Sequence, residues 1–218
     1  MRLYYFSSER YALEALRDKR LKIARINELN DPFEFMGLAL PKHERRVLRK
    51  TKDDLDKFMG IVCFSNSWSH PLLWSHYADN HKGLALGFET KEDKYFHKVN
   101  YVQERLTLRD IGLNRLEDFV DSNMMIILCT KFISWSYESE YRSFVKLDNC
   151  DCVTGLYFHD FFPNLELKEV IVGERSNLTR SKLSNILGDN FNSVVAKKAR
   201  CGFRDFAVVE NKLKRAWK

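Results

Sequence analysis

The chain has 218 residues, of which 44% are hydrophobic and 13% aromatic, and its formal net charge is +6. That content supports a sizeable core and excludes wholesale disorder. No apolar run approaches the roughly 20 residues of a membrane span, and Met1-Arg2-Leu3-Tyr4-Tyr5 lacks the apolar region of a signal peptide.

In chain order, residues 3–6 read as an opening strand. Ser7-Ser8 can cap a helix running to about Arg17, with Tyr11, Ala12, Ala15 and Leu16 as its apolar stripe. Residues 21–24 alternate as a short strand, and 27–34 form a polar loop around Pro32. Residues 43–59 read as a charged amphipathic helix and 61–64 as a short buried strand. Pro71 opens a helix on which Trp74, Tyr77, Ala78 and His81 share a face; Gly83 ends it, and 84–88 is a strand. A strand is expected at 99–102 and a long helix at 116–128. After a strand over 135–142 come strands near 153–158 and 168–172, a helix near 179–187, and strands near 193–196 and 206–209. The mixture lacks regular βαβ alternation, repeats or a linker. It predicts a single domain, 1–218, of the α+β class, with a mixed, mainly antiparallel sheet core and flanking helices.

The five cysteines are scattered, and the one close pair, Cys150 and Cys152, is too near along the chain to suit a disulfide. No second pair completes a zinc set, so no metal is expected, and reduced thiols in a cytoplasm are the simplest account. The positive charge gathers in residues 43–52, in Lys197-Lys198-Ala199-Arg200 and in the tail 212–218. Solvated faces account for such runs, and nucleic-acid binding is the competing reading.

Within Trp135-Ser136-Tyr137-Glu138-Ser139-Glu140-Tyr141-Arg142, a strand period of two puts Glu138, Glu140 and Arg142 on one face. Two like carboxylates so placed repel unless a cation or polar ligand lies between them, and Arg142 supplies a bidentate cation. The segment is either a solvated edge with an ion pair or a site. Asn30-Asp31-Pro32-Phe33-Glu34 is either a plain structural turn or a loop that holds its carboxylates and Phe33 against a cleft. Trp74, Tyr77 and His81 either line a pocket, stacking on a planar ring, or belong to the core. Neither a P-loop, a GxGxxG nor a GxSxG elbow is present.

The motifs 3–8, 30–34, Cys63-Phe64-Ser65, 73–83 with Leu86-Gly87-Phe88, Lys131 with 135–142, and 167–173 occur in that order. Together they resemble the bacterial domain-of-unknown-function family 2971, which appears in part among phage-defence and abortive-infection proteins. The order is also distantly similar to ADP-ribosyltransferase-type domains. That resemblance implies NAD as substrate, with Glu138 and Glu140 as the catalytic Glu-x-Glu pair and Ser65 in the central motif. Tyr5 stands where many family members have His. It further implies Tyr5, Trp74 or Tyr77 against nicotinamide and Arg142 or Arg2 on pyrophosphate. Asn30, Asp31, Glu34 and His81 complete the expected ligand-binding set. The expected activity is that of an ADP-ribosyltransferase or NAD glycohydrolase. The alternatives are a nucleic-acid-binding effector, nucleolytic or not, and a non-catalytic nucleotide-sensing module.

Overall fold

The structure is a computed structural model that describes residues 1–213 and Trp217. Lys214, Arg215 and Lys218 of the basic tail lie outside the described residues. Strand β1 (Arg2–Ser7) leads into helix α1 (Glu9–Asp18), followed by β2 (Arg20–Lys22), β3 (Ala24–Arg25) and α2 (Lys42–Leu55). Next come β4 (Met59–Ser65), α3 (Pro71–Tyr77), β5 (Leu84–Thr90), β6 (His97–Lys98) and β7 (Asn100–Val102). The order continues with α4 (Asp121–Leu128), β8 (Thr130–Phe132), β9 (Glu140–Lys146), β10 (Phe158–Asp160) and β11 (Leu165–Val172). Helix α5 (Arg180–Leu187), β12 (Val195–Cys201) and β13 (Val208–Glu210) complete it. The fold is α+β, and its strand pairings are mixed and mostly antiparallel.

The chain groups into two compact units. The first takes in residues 1–22, 63–94 and 159–218. Its strands run in the order β13-β12-β11-β5-β1, with the end of β4 beside β1 through Tyr4 and Ser65. Strand β5 lies between β1 and β11, and its near-continuous apolar run is buried on both faces. The parallel pair β11 and β12 is bridged by α5, the crossover that parallel strands need. Tyr4, Trp74, Ala78, Ala85, Ile171, Ala199 and Val208 form a core cluster here. Helix α1 turns Ala12, Leu13, Ala15 and Leu16 inward. Tyr11, placed in the stripe by sequence, is exposed, and Leu13 takes that role.

The second unit takes in residues 23–62 and 95–158. Strand β3 pairs with the start of β4, β4 neighbours β9, and β9 pairs with β6. The short strands β7 and β8 run parallel. Leu48 of α2 joins Leu38, Leu40, Ile111 and Ile127 in a core cluster. Among the described residues no helix is long and apolar enough to cross a membrane. All five cysteines are free.

Four expected elements differ. The helix from Pro71 stops at Tyr77 instead of carrying His81 to Gly83. The long helix over 116–128 is only α4 at its C-terminal end, preceded by a 3-10 turn, Leu116–Asp118. Asn123 Oδ1 accepts the Val120 N–H at 3.1 Å, which fixes Val120 as extended and starts the helix afresh. Residues 153–155 form a turn organised by Asp151, whose Oδ1 accepts the N–H groups of Val153 and Thr154, so the strand begins only at Phe158. The expected strand over 135–142 is a 3-10 helix, Ile133–Glu138, then Ser139 in the left-handed region at φ 44°, then β9.

Candidate functional site

Five charged side chains converge inside the second unit: Glu34, Lys131, Glu138, Glu140 and Arg142. Their exposures run from 0% for Arg142 to 6% for Lys131. The 3-10 turn and the left-handed Ser139 bring Glu138 back over β8, where its Oε2 lies 2.5 Å from Lys131 Nζ. Lys131 Nζ is also 3.2 Å from Glu140 and 3.3 Å from Glu34. Arg142 donates from Nε to Glu140 at 2.9 Å and from Nη2 to Glu140 and Glu34 at 3.0 and 2.7 Å. Its Nη1 donates to the Leu128 carbonyl at 2.6 Å, satisfying an open acceptor at the end of α4. The Glu140 N–H donates to the Tyr101 hydroxyl at 2.9 Å.

Three carboxylates thus share two cations. Such burial is tolerated only because nearly every polar atom is paired. The exception is Glu34 Oε2, buried with no hydrogen-bond partner among the described residues. Burial acts to lower the Lys131 pKa, but Glu140, Glu34 and Glu138 outweigh it and hold the ammonium above its usual value. Burial and the neighbouring carboxylates raise the Tyr101 phenol, and burial, with Glu138, pushes Tyr137 up to about 12. Burial pushes the Cys129 thiol up to about 11, against the pull of Arg142.

A cavity of about 270 Å³ opens in the same unit. Lys131 lines it and belongs to the charged cluster as well. Phe33, Met36, Val102 and Phe132 supply apolar walls, and Gln103, Glu104, Arg105 and Thr130 polar ones. Phe33 is 58% exposed, with the Arg105 guanidinium 5.4 Å from its ring centre. Lys131 Nζ lies 4.8 Å from the Trp135 ring centre. The loop before Phe33 is built by Asp31, buried, whose Oδ1 accepts the Phe33 N–H at 2.9 Å and whose carbonyl accepts Glu34 N–H at 3.1 Å. Asn30 is exposed. This loop therefore presents Phe33 to the cavity and Glu34 to the cations.

Five of the residues singled out in the sequence lie in the first unit. Trp74 is 0% exposed in that unit's core, its Nε1 donating to the Trp68 carbonyl at 2.6 Å. His81 stacks on Trp74 at 6.3 Å between ring centres, but not by helical spacing. Helix α3 ends at Tyr77, and Asp79, Asn80 and His81 all have positive φ. Burial lowers the His81 pKa, its Nε2 is 3.2 Å from Ser75 Oγ, and its Nδ1 is buried without a partner among the described residues. Tyr77 is half-buried beside His76. Tyr5 packs edge-on to Phe64, and burial pushes its phenol up to about 12. Ser65 is buried and accepts the Ser67 N–H at 3.2 Å. The cluster and cavity of the second unit hold Glu34, Glu138, Glu140 and Arg142 of the expected set, plus Lys131 and Tyr101, which were not assigned from sequence. Lys131 had a signal, standing just before the Trp135 motif; Tyr101 had none.

Among the described residues no group of three or more His, Cys, Asp or Glu is arranged to hold a metal ion. The family model described as "Protein of unknown function (DUF2971)" matches residues 73–143, less than half of the chain. The match runs from α3 into β9 and takes in Lys131, Glu138, Glu140 and Arg142 but not Glu34. No curated protein and no solved structure matches the chain.

Proposed function

We propose that the second unit binds a nucleotide-type small molecule in the cavity beside Lys131, with NAD as the first compound to test. The observation that carries this reading is the double position of Lys131, which lines the cavity and holds three buried carboxylates. Arg105 adds a second cation at the same cavity, so that its lining carries two cations against the single carboxylate of Glu104, a balance that favours phosphate oxygens. Phe33 and Phe132 offer aromatic surface to a heterocycle. The volume lies just below the roughly 300–1,000 Å³ of drug-sized pockets, which is room for a heterocycle with its sugar.

The same arrangement supports a route to catalysis. A ligand phosphate that draws on Lys131 competes with Glu138 and Glu140 for it and releases a carboxylate oxygen. That oxygen can accept a ribose hydroxyl and stabilise the positive charge that develops as the nicotinamide–ribose bond breaks, the bonding electrons leaving with nicotinamide. Water at the ribose carbon gives a glycohydrolase, and a macromolecular acceptor gives an ADP-ribosyltransferase. Depletion of NAD in this way would suit an abortive-infection effector in the cytoplasm. A non-catalytic nucleotide sensor is the second reading, favoured by the tight pairing of both glutamates with Lys131 and Arg142.

The test combines thermal stabilisation by NAD, ADP-ribose and nicotinamide with nicotinamide release from NAD. Stabilisation with release that is lost in Glu138→Gln or Glu140→Gln supports the enzyme. Stabilisation that Phe33→Ala and Arg105→Ala abolish, without release, supports the sensor. No stabilisation by any of the three compounds overturns both.

A further inference from the structure

Helix α2 carries a second surface, separate from the cavity. Its Lys42, Arg45, Arg46, Arg49 and Lys50 are all exposed. On a helix these positions fall within an arc of about 140° and span roughly 12 Å of the axis. Leu48, on another face, is buried in the core of the same unit and fixes the arc outward. Among the described residues none of the five cations lies within ion-pair distance of a carboxylate. At the other end of α2, Asp53 accepts from the Asn27 side chain at 3.3 Å, and Asp54 pairs with Lys57 at 2.6 Å while also feeling the charge of Lys50. Just past the helix, Asp56 pairs with Arg25 at 2.5 Å.

The arrangement opposes the helix's own electrostatics. Lys42, Arg45 and Arg46 sit in the first turns, where the helix dipole favours negative charge and Glu44 is the one acid. The pairs at i, i+3 and i, i+4 within the arc are all like-charged. A polyanion laid along the face relieves both effects at once.

We propose that this face of α2 binds the phosphate backbone of duplex nucleic acid. Three of the five cations are arginines, which engage phosphate oxygens bidentately. The width of an α-helix matches the major groove, which lets both groove walls reach the arc. An acidic membrane is the weaker match, because surface-lying helices insert an apolar face, and α2 exposes one apolar residue, Val47, its Leu48 being packed in the core. An acidic protein partner is also weaker, because the arc contains no aromatic residue to anchor such an interface.

The test is fluorescence anisotropy with a labelled 20-base-pair DNA duplex across a sodium chloride series. A parallel arm uses vesicles containing phosphatidylserine. Five phosphate contacts predict a slope of log affinity against log salt of about −4.5, or roughly a 500-fold loss between 50 and 200 mM. Replacing Arg45, Arg46 and Arg49 together by Gln should flatten the slope by about 2.7, leaving roughly a 12-fold loss over the same range. Lys42→Gln with Lys50→Gln should flatten it by about 1.8 independently. Melting temperatures of both variants at or above that of the parent exclude misfolding as the cause. The proposal is overturned by no duplex binding at 50 mM salt, by a slope unchanged in both variants, or by binding to vesicles alone.

Discussion

Replacing Lys131 by Met removes one of the two cations that hold three buried carboxylates while nearly conserving side-chain volume. At an effective dielectric near 20, each contact of about 3 Å is worth about 5 kcal/mol before desolvation is subtracted. The ammonium makes three such contacts, at 2.5, 3.2 and 3.3 Å. Desolvation cancels most of that sum, and breaking a buried pair by removing one partner costs about 3–5 kcal/mol. With a urea m-value of about 2.5 kcal/mol/M, a loss of about 4 kcal/mol moves the midpoint down by roughly 1.5 M. The assay is urea unfolding followed by circular dichroism, with hydrogen exchange of peptides covering 128–142 to localise the effect.

The pH dependence carries an independent check. In Lys131→Met the folded cluster has a surplus of carboxylate, so it takes up a proton that the unfolded chain does not bind near neutral pH. Stability of the variant relative to the parent therefore improves as pH falls from 8 to 5. In the parent, the raised Lys131 pKa contributes stability that is complete below the unfolded value of about 10.4 and is lost as pH rises through the higher folded value. The variant should lack that alkaline loss. A midpoint within 0.4 M of the parent at pH 8 (about 1 kcal/mol), or a deficit equal at pH 5 and pH 8, would refute the reasoning.

Two further outcomes are expected. Gly83→Ala should cost about 3 kcal/mol or prevent folding, because a Cβ there would meet the Ser7 carbonyl oxygen at 2.1 Å and backbone atoms of Ala78 at 2.9 Å; thermal melting reads it. With a thiol-specific disulfide reagent at pH 8, the exposed Cys150, Cys152 and Cys201 should react well before Cys63 and Cys129. Cys201 should be the slowest of the exposed three, since its hydrogen bond to Glu174 raises its pKa.

Local pattern made part of this legible in sequence. The helix read near 179–187 is α5, where Thr179 accepts the Lys182 N–H; Ser8 does stand at the N-cap of α1, but its side chain makes no capping bond. A period of two correctly aligned Glu140 with Arg142 on β9. Glu138 reaches the same place by another route, because Ser139 leaves the extended region and the preceding residues coil. The partnership of Glu34 with Arg142 spans 108 positions, and no local period encodes it. His81 reaches Trp74 through a left-handed turn that helical spacing only mimics. Burial was the property least visible: a strand read as facing a ligand places Arg142 out of contact with water because α4, β8 and the loop at Glu34 close over it.

The route of the backbone has a practical consequence. It passes from one compact unit to the other at residues 22–23, 62–63, 94–95 and 158–159. Neither unit is therefore a contiguous fragment. Cutting the gene anywhere between residues 23 and 158 leaves both pieces with an incomplete unit, so limited proteolysis or truncation cannot isolate the cavity from the rest. A genetic dissection of this chain has to proceed by side-chain replacement, or by removing 63–94 and joining 23–62 to 95–158 through a designed bridge.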